Sequence, residues 1–237
     1  MHHSNCETAH QFPVFSTLPA DEYALLEIDH QRKIERETYV YFEAFKHPNI
    51  YMVKSGLIRL GFLDVDGNKV VKEIIRSGDF FGQISLEKEN LNGEFAQAIR
   101  GDVQILSFTL TRFYQLMNDH PLLALKYSKS MAARIRRSET RLENILRNDV
   151  KTRLKIFLEQ LLSDVLDSAR WFGKEVRVPN YLTHGEVAQL IGTSRQTVTS
   201  LLGLLKEERV CNFSRKELRF FNRQMPDRTK VSLNYTQ

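Results

Sequence analysis

The sequence predicts an α+β fold in which a β-rich first half is followed by a long helix and by a second half of shorter elements. Three observations indicate this order. Short segments rich in β-branched and aromatic residues alternate with turn signals up to about Phe108. From about Thr111 the apolar residues recur at three-, four- and seven-residue spacing, which is typical of an amphipathic helix. Beyond a hinge at Asn148-Asp149, shorter helical and strand-like segments follow.

The composition fits a cytoplasmic protein of two domains. Hydrophobic residues make up 42% and charged residues 27% of the 237 residues, which is usual for globular proteins. The formal charge of +5 permits a polyanionic partner without identifying one. Cys6 and Cys211 lie far apart and have neither disulfide nor metal spacing. We expect no membrane contact, because the sequence shows neither a signal peptide nor an apolar segment of membrane-spanning length.

The β-rich part, which we place at residues 1–118, is predicted to be a β-roll of the jelly-roll or cupin-like kind. Tyr39–Phe42 and Ile50–Val53 have the composition of strands. Asp66-Gly67, which lies between two apolar segments, is typical of a β-hairpin turn. Strands and turns at such close spacing favour a roll or sandwich over alternating strands and helices.

The long helix is predicted at residues 119–147, after the helix-breaking His120-Pro121 pair. Its apolar stripe is narrow, and its other faces carry charged residues such as Arg134 and Arg137. Such a pattern favours a seam between two helices and therefore a homodimer. The alternative is a helix that packs only on its own β-domain. The predicted dimer interface consists of Leu125, Ser128, Ala132, Ile135, Leu142 and Ile145.

Residues 148–224 are predicted to form a winged helix-turn-helix, and residues 225–237 a polar tail. Two helix-capping signals surround Gly192, which can take the positive φ that a tight turn between helices needs. The capping pairs are Thr183 with Glu186 and Thr193 with Gln196, with Ser194 as the rival first cap of the second helix. Two strands follow, joined by a basic turn, which predicts the wing.

The second helix of this motif carries side chains that suit the major groove of double-stranded DNA. Arg195 can donate two hydrogen bonds to guanine, and Gln196 can pair with adenine. Small hydroxyl residues suit phosphates or thymine methyl groups, whereas Arg215 and Lys216 either reach phosphates or form a solvated turn. The predicted DNA-binding residues are Thr183, Ser194, Arg195, Gln196, Thr197, Thr199, Ser200, Arg215 and Lys216.

In this order of elements the chain resembles the Crp/Fnr family of bacterial transcription regulators from about Ala20 to Phe221. Leu182–Leu205, with Ser-Arg-x-Thr-Val at Ser194–Val198, is similar to the family's helix-turn-helix. Gly78–Leu86 is similar to the Gly-Asp-x-Phe-Gly-Glu stretch that opens the family's phosphate-binding cassette. The resemblance implies a cyclic-nucleotide-binding-like sensor domain, a homodimer on a palindromic operator, and RNA polymerase as a partner.

The sequence departs from the cyclic-AMP pattern of that family. In that pattern Arg-Ser-Ala follows the cassette opening, but here the matching residues are Glu94-Phe95-Ala96, and a carboxylate would repel the cyclic phosphate. We therefore expect no cyclic-AMP binding of the usual kind. The alternative is a cyclic-nucleotide-responsive activator with altered pocket contacts. The effector-pocket candidates are Gly82, Gln83, Ile84, Ser85, Glu94, Phe95, Ala96, Ser138 and Glu139.

Other functions have no support in the sequence. It contains no Walker loop, no zinc-protease motif and no nucleophile elbow, so we expect no enzyme activity and no catalytic residues. Two distant cysteines cannot hold an iron–sulfur cluster. Isolated histidines such as His30, His47 and His120 do not favour haem, and we expect no metal site.

Overall fold

The computed structural model describes residues 31–42, 49–82, 93–99, 102–164, 170–172 and 175–221. The chain divides into two compact units, one ending at Thr140 and the other beginning at Arg141. Each unit has its own sheets and its own core. The predicted tail, residues 225–237, lies outside the described residues. None of the helices in the described part is both long and apolar enough to cross a membrane.

The first unit contains two four-stranded antiparallel sheets, in the strand orders β1-β8-β3-β6 and β2-β7-β4-β5. The strands are β1 (Gln31–Ile34), β2 (Tyr39–Phe42), β3 (Asn49–Ser55), β4 (Ile58–Leu63), β5 (Lys69–Ile75), β6 (Phe80–Gly82), β7 (Phe95–Ala98) and β8 (Val103–Thr109). Apolar side chains of both sheets form one buried cluster, as the alternation of the strands requires. This arrangement confirms the predicted β-rich first half.

The predicted hairpin forms between β4 and β5, where Leu63 pairs with Lys69. Gly67 takes a φ of +78°, a conformation that glycine adopts without strain. The Asp64 Oδ1 atom accepts hydrogen bonds from the backbone N–H groups of Asp66, at 3.0 Å, and Asn68, at 2.8 Å. Asp64 therefore stabilises the turn.

Two helices follow the roll: α1 (Leu110–Asp119) and α2 (Pro121–Arg147). The long predicted helix is confirmed, but it has two apolar faces instead of one stripe. On one face Leu123 is fully buried and Tyr127 and Met131 pack on the core of the roll. The Tyr127 ring meets Phe80 and Phe113 edge-on, at centroid distances of 4.9 and 5.1 Å. The roll therefore holds α2 through this face.

The other apolar face of α2 is solvent-exposed in the single chain. Its large side chains keep between 38% and 76% of their surface, which is unusual for a row of leucine and isoleucine residues. They are Leu122, Leu125, Ile135, Leu142, Ile145 and Leu146. The predicted interface residues Ser128 and Ala132 are exposed as well. The helix thus presents an uncovered seam beside the face that packs on the roll.

Two of the charged residues on the other faces of α2, Arg134 and Arg137, form ion pairs with the roll. Arg134 forms an ion pair with Glu73 of β5, in which its Nε and Nη2 atoms donate to the carboxylate at 2.9 and 2.7 Å. Its Nη1 atom donates to the Phe80 carbonyl oxygen at 3.0 Å. Arg137 donates to Asp79 at 2.8 Å. Both guanidinium groups turn toward the roll because carboxylates that are 58 and 61 residues away in sequence lie within their reach.

The second unit contains α3 (Val150–Asp164) and a helical pair, α4 (His184–Ile191) and α5 (Arg195–Glu207). Its strands are β9 (Arg170–Phe172), β10 (Glu175–Pro179), β11 (Cys211–Phe213) and β12 (Glu217–Phe221), in the antiparallel order β11-β12-β10-β9. Val187 of α4 and Val198 and Leu205 of α5 are fully buried. Two helices followed by a β-hairpin give the predicted winged helix-turn-helix.

Candidate nucleic-acid interface and effector pocket

The first helix of the pair, α4, begins with the predicted capping box. The Glu186 N–H donates to the Thr183 hydroxyl oxygen at 3.2 Å, and the Thr183 N–H donates to the Glu186 carboxylate at 2.7 Å. The Thr183 hydroxyl also donates to that carboxylate, at 2.9 Å. Thr183 is exposed. Its hydroxyl is therefore held by the cap, so a DNA contact from this residue would compete with an existing bond.

The turn between the helices is closed by Gly192, with a φ of +72°. The second predicted capping box, Thr193 with Gln196, does not form, and this prediction was wrong. Ser194 is the N-cap: its backbone is extended and its hydroxyl oxygen accepts from the Thr197 N–H at 3.1 Å. Thr193 lies one residue too early, because its N–H still closes α4 by donating to the Ala188 carbonyl oxygen.

The exposed face of α5 carries the side chains predicted to read DNA. Arg195, Gln196, Thr199 and Ser200 are exposed, and their spacing of one, three and four residues places them on one side of the helix. Thr197 is half-buried, and its hydroxyl lies 2.8 Å from that of Ser194, so it belongs to the cap. The residues predicted to contact DNA thus lie together at the N-terminal end of α5. Thr197 is the exception, because its hydroxyl belongs to the helix cap.

His184, which the sequence interpretation did not single out, joins this face to the wing. Its Nδ1 atom lies 2.9 Å from the Thr199 hydroxyl oxygen, and its ring meets Phe213 of β11 edge-on at 5.1 Å. Burial, followed by the nearby Arg195 charge, lowers the pKa of His184 below its usual value. A contact over 15 residues between two helices leaves no periodic signal in the sequence.

The wing is the β11–β12 hairpin, in which Cys211 pairs with Phe220 and Phe213 with Leu218. Its turn exposes the two predicted basic residues, Arg215 and Lys216. Buried Asn180 holds this turn, because its amide donates to the carbonyl oxygens of Ser214, at 2.6 Å, and Leu182, at 3.1 Å. Asn180 is a second residue that sequence reasoning missed, and it fixes the wing next to the start of α4.

In the β-roll, Glu94 is buried at 5% exposure, as a residue facing a candidate pocket would be. The Tyr41 hydroxyl donates to Glu94 at 2.8 Å, and the Lys72 ammonium forms an ion pair with it. Burial and the Glu94 charge both raise the pKa of Tyr41 well above its usual range, so the phenol stays protonated. The Glu94 carboxylate therefore has its own cation, Lys72, which the sequence did not reveal.

The remaining pocket candidates lie in different places. Phe95 and Ala96 are fully buried in β7. Gly82 takes a φ of +94°, and a side chain there would collide with the Asn49 carbonyl oxygen at 2.5 Å. Ser138 and Glu139 are exposed on α2. Gln83, Ile84 and Ser85 lie outside the described residues.

The chain combines a β-roll, a long helix with an exposed apolar seam and a winged helix-turn-helix. Residues 31–120 match the family model described as "Cyclic nucleotide-binding domain". The global nitrogen regulator of Synechocystis is 26% identical over 79% of this chain and 83% of its own length. The cyclic AMP receptor protein of Thermus thermophilus is 26% identical over 84% of this chain and 87% of its own length.

Solved structures share this fold. The c-di-GMP-responsive global regulator of Xanthomonas campestris superposes with a TM-score of 0.68 at 18% identity, covering 84% of this chain and 97% of that one. A Crp/Fnr-family transcriptional regulator of Thermus thermophilus superposes with a TM-score of 0.65 at 22% identity. The match covers 85% of this chain and 96% of that one. The chain is a homologue of the Crp/Fnr-type transcription regulators, and the resemblance drawn from its motifs is confirmed.

Proposed function

We propose that this chain is a sequence-specific DNA-binding transcription regulator that acts as a homodimer on a palindromic operator and catalyses no reaction. The observation that carries the proposal is the exposed α5 face, where Arg195, Gln196, Thr199 and Ser200 project together from a capped helix. Helices of this kind enter the major groove with their N-terminal residues leading. Regulators among the relatives support the proposal, and by the same resemblance RNA polymerase is the expected protein partner.

The second part of the proposal concerns the sensor domain, which we propose does not take cyclic AMP in the usual way. Glu94 is held by Tyr41 and Lys72, and Arg134 by Glu73, so both of these cations already neutralise carboxylates among the described residues. A cyclic phosphate bound by Lys72 would have to compete with the buried Glu94, and one bound by Arg134 with the half-buried Glu73. We propose neither haem nor an iron–sulfur cluster as a cofactor.

A second candidate function is a cyclic-nucleotide receptor with altered contacts. The family-model match favours it, and so do Lys72 and Arg134, two cations inside the same domain. Calorimetric titration with cyclic AMP and cyclic GMP separates the two candidates. The first predicts no heat of binding at micromolar nucleotide, and micromolar binding of either nucleotide would establish the second.

The DNA-reading claim is tested by selecting bound duplexes from a random pool with the wild-type chain and with Arg195→Ala. We expect the wild type to select one palindromic site, and Arg195→Ala to bind it more weakly by about 1–3 kcal/mol with relaxed preference at one guanine per half-site. Lys206→Ala, in the last turn of the same helix, is the matched control and should keep the base preference. Equal base preference in wild type and Arg195→Ala would show that another residue reads the base.

A further inference from the structure

The Thr199 hydroxyl on the reading face of α5 has two partners inside the protein. It donates to the Arg195 carbonyl oxygen at 2.9 Å, one helical turn earlier. The His184 Nδ1 atom lies 2.9 Å from the same oxygen. A helical threonine commonly bonds back to the preceding turn, but it carries only one hydroxyl proton to donate.

This single proton fixes the direction of the second bond. Since the Thr199 hydroxyl donates to Arg195, the His184 Nδ1–H must donate to Thr199. Neutral histidine with its proton on Nδ1 does so, and protonated histidine does so equally. The ring is held in this orientation by its edge-on contact with Phe213, at an interplanar angle of 66°. The bond is therefore expected at any pH at which the domain is folded.

The two bonds decide which part of Thr199 is presented. The residue is exposed, yet its hydroxyl is directed back to the protein by both of them. The Cγ2 methyl is the other group on Cβ, and it is the part left for an outside partner. An exposed methyl on a recognition helix matches the C5 methyl of thymine, which the major groove displays.

We infer that His184 is a positioning residue that locks the Thr199 side chain with its methyl toward DNA, so that Thr199 recognises a thymine by its C5 methyl. The inference rests on the proposed DNA-binding function and deepens it. His184 itself sits at the start of α4 and acts through Thr199, while Phe213 of the wing keeps its ring in place.

The test replaces each thymine of the selected operator by deoxyuridine, which lacks only that methyl, and measures affinity by fluorescence anisotropy. For the wild type we expect one thymine per half-site at which the replacement weakens binding about three- to fivefold, the usual effect of one buried methyl. Thr199→Ser keeps the hydroxyl and removes the methyl, so its ratio of thymine to deoxyuridine affinity should fall to about one.

Variants at His184 separate positioning from a general structural role. His184→Ala should lower the thymine-to-deoxyuridine ratio, because the Thr199 side chain is then free to rotate. His184→Asn, whose amide can donate from near the Nδ1 position, should keep it. The double variant His184→Ala with Thr199→Val should regain it, since valine presents a methyl at both positions. A merely structural loss would not be rescued in this way.

The outcomes distinguish this inference from the function on which it rests. If the wild-type chain selects no DNA, the proposed function fails. If it binds a selected site but deoxyuridine is neutral at every thymine, thymine recognition by Thr199 is wrong and the DNA-binding function stands. A normal ratio in His184→Ala would overturn the role of His184 alone.

Discussion

Glu94 is a buried carboxylate in the first unit whose partners come from the same chain. It accepts a hydrogen bond from Tyr41 and pairs with Lys72. Burying a carboxylate costs free energy unless charge and hydrogen bonds compensate it. The ion pair and the phenol supply that compensation from inside the chain, and the site needs no ligand for it.

Removal of the Glu94 charge should therefore destabilise the first unit. Glu94→Gln leaves Lys72 without its carboxylate and weakens the Tyr41 bond, so we expect a loss of about 1–3 kcal/mol in the free energy of unfolding. Urea titration followed by circular dichroism measures this loss. Asp102→Asn is the matched control in the same roll, because the Lys33–Asp102 pair is solvent-exposed and should contribute little to the free energy of unfolding. Equal effects of the two changes would contradict a compensated buried charge.

His184 makes the second unit sensitive to pH. Its pKa is lowered in the folded chain, first by burial and then by Arg195. The unfolded chain therefore binds a proton at a pH where the folded ring remains neutral, and the stability present above the unfolded value of about 6.5 is lost as the pH falls through and below it. Wild type should lose more stability than His184→Asn between about pH 7.5 and 5.5.

The unfolding midpoint of each chain is measured at each pH by urea titration followed by circular dichroism. An identical pH dependence of the unfolding midpoint in wild type and His184→Asn would contradict the assignment of this proton linkage to His184.

At the scale of elements, α2 has two apolar faces with different tasks. Leu123, Tyr127 and Met131 hold it on the roll, and the neighbouring apolar residues, which include Ile135 and Leu142, stay exposed. A row of exposed leucine and isoleucine on a 27-residue helix is typical of a two-helix seam. The exposed face is therefore the basis for the proposed homodimer.

Ile135→Asp should disrupt that seam. We expect a monomer in sedimentation velocity, and at least about a tenfold loss of affinity for the palindromic operator because the two readers no longer bind as one unit. Ala133→Asp places the same charge two residues away on a different exposed face, and should remain dimeric. If the Ile135→Asp chain were monomeric and still bound the operator with wild-type affinity, DNA binding would not depend on the seam.

Local sequence signals predicted the elements well because their causes are local. The Asp66-Gly67 turn, the Thr183–Glu186 cap and the glycine between α4 and α5 each depend on residues within four positions of one another. The second cap was misplaced by one residue, since Thr193 and Ser194 are both good N-caps and only the backbone geometry decides between them.

The site could be predicted only in part because its most informative contacts are long-range. Lys72 reaches Glu94 over 22 residues, Arg134 reaches Glu73 over 61, and His184 reaches Thr199 over 15. A charged residue on a helix looks solvated in the sequence until the fold brings a carboxylate beside it. Candidate DNA-reading residues could be named from the sequence, whereas the residues that contact them inside the protein could not.

At the scale of the whole molecule, the chain carries a β-roll, a long helix with exposed apolar residues and a winged helix-turn-helix. Each compact unit has its own core and sheets, and α2 runs from the first unit into the second. Two copies joined along the exposed face of α2 would carry two readers related by a two-fold axis. Such a pair requires an operator with two half-sites about one helical turn of DNA apart.

The most direct test of this account is the stoichiometry of the complex with the selected operator. Sedimentation equilibrium of the full chain with a duplex that carries both half-sites should give two chains per duplex. The same duplex with one half-site scrambled should bind more weakly by at least about tenfold. One chain per duplex, or equal affinity for the intact and the scrambled sites, would contradict a dimeric reader.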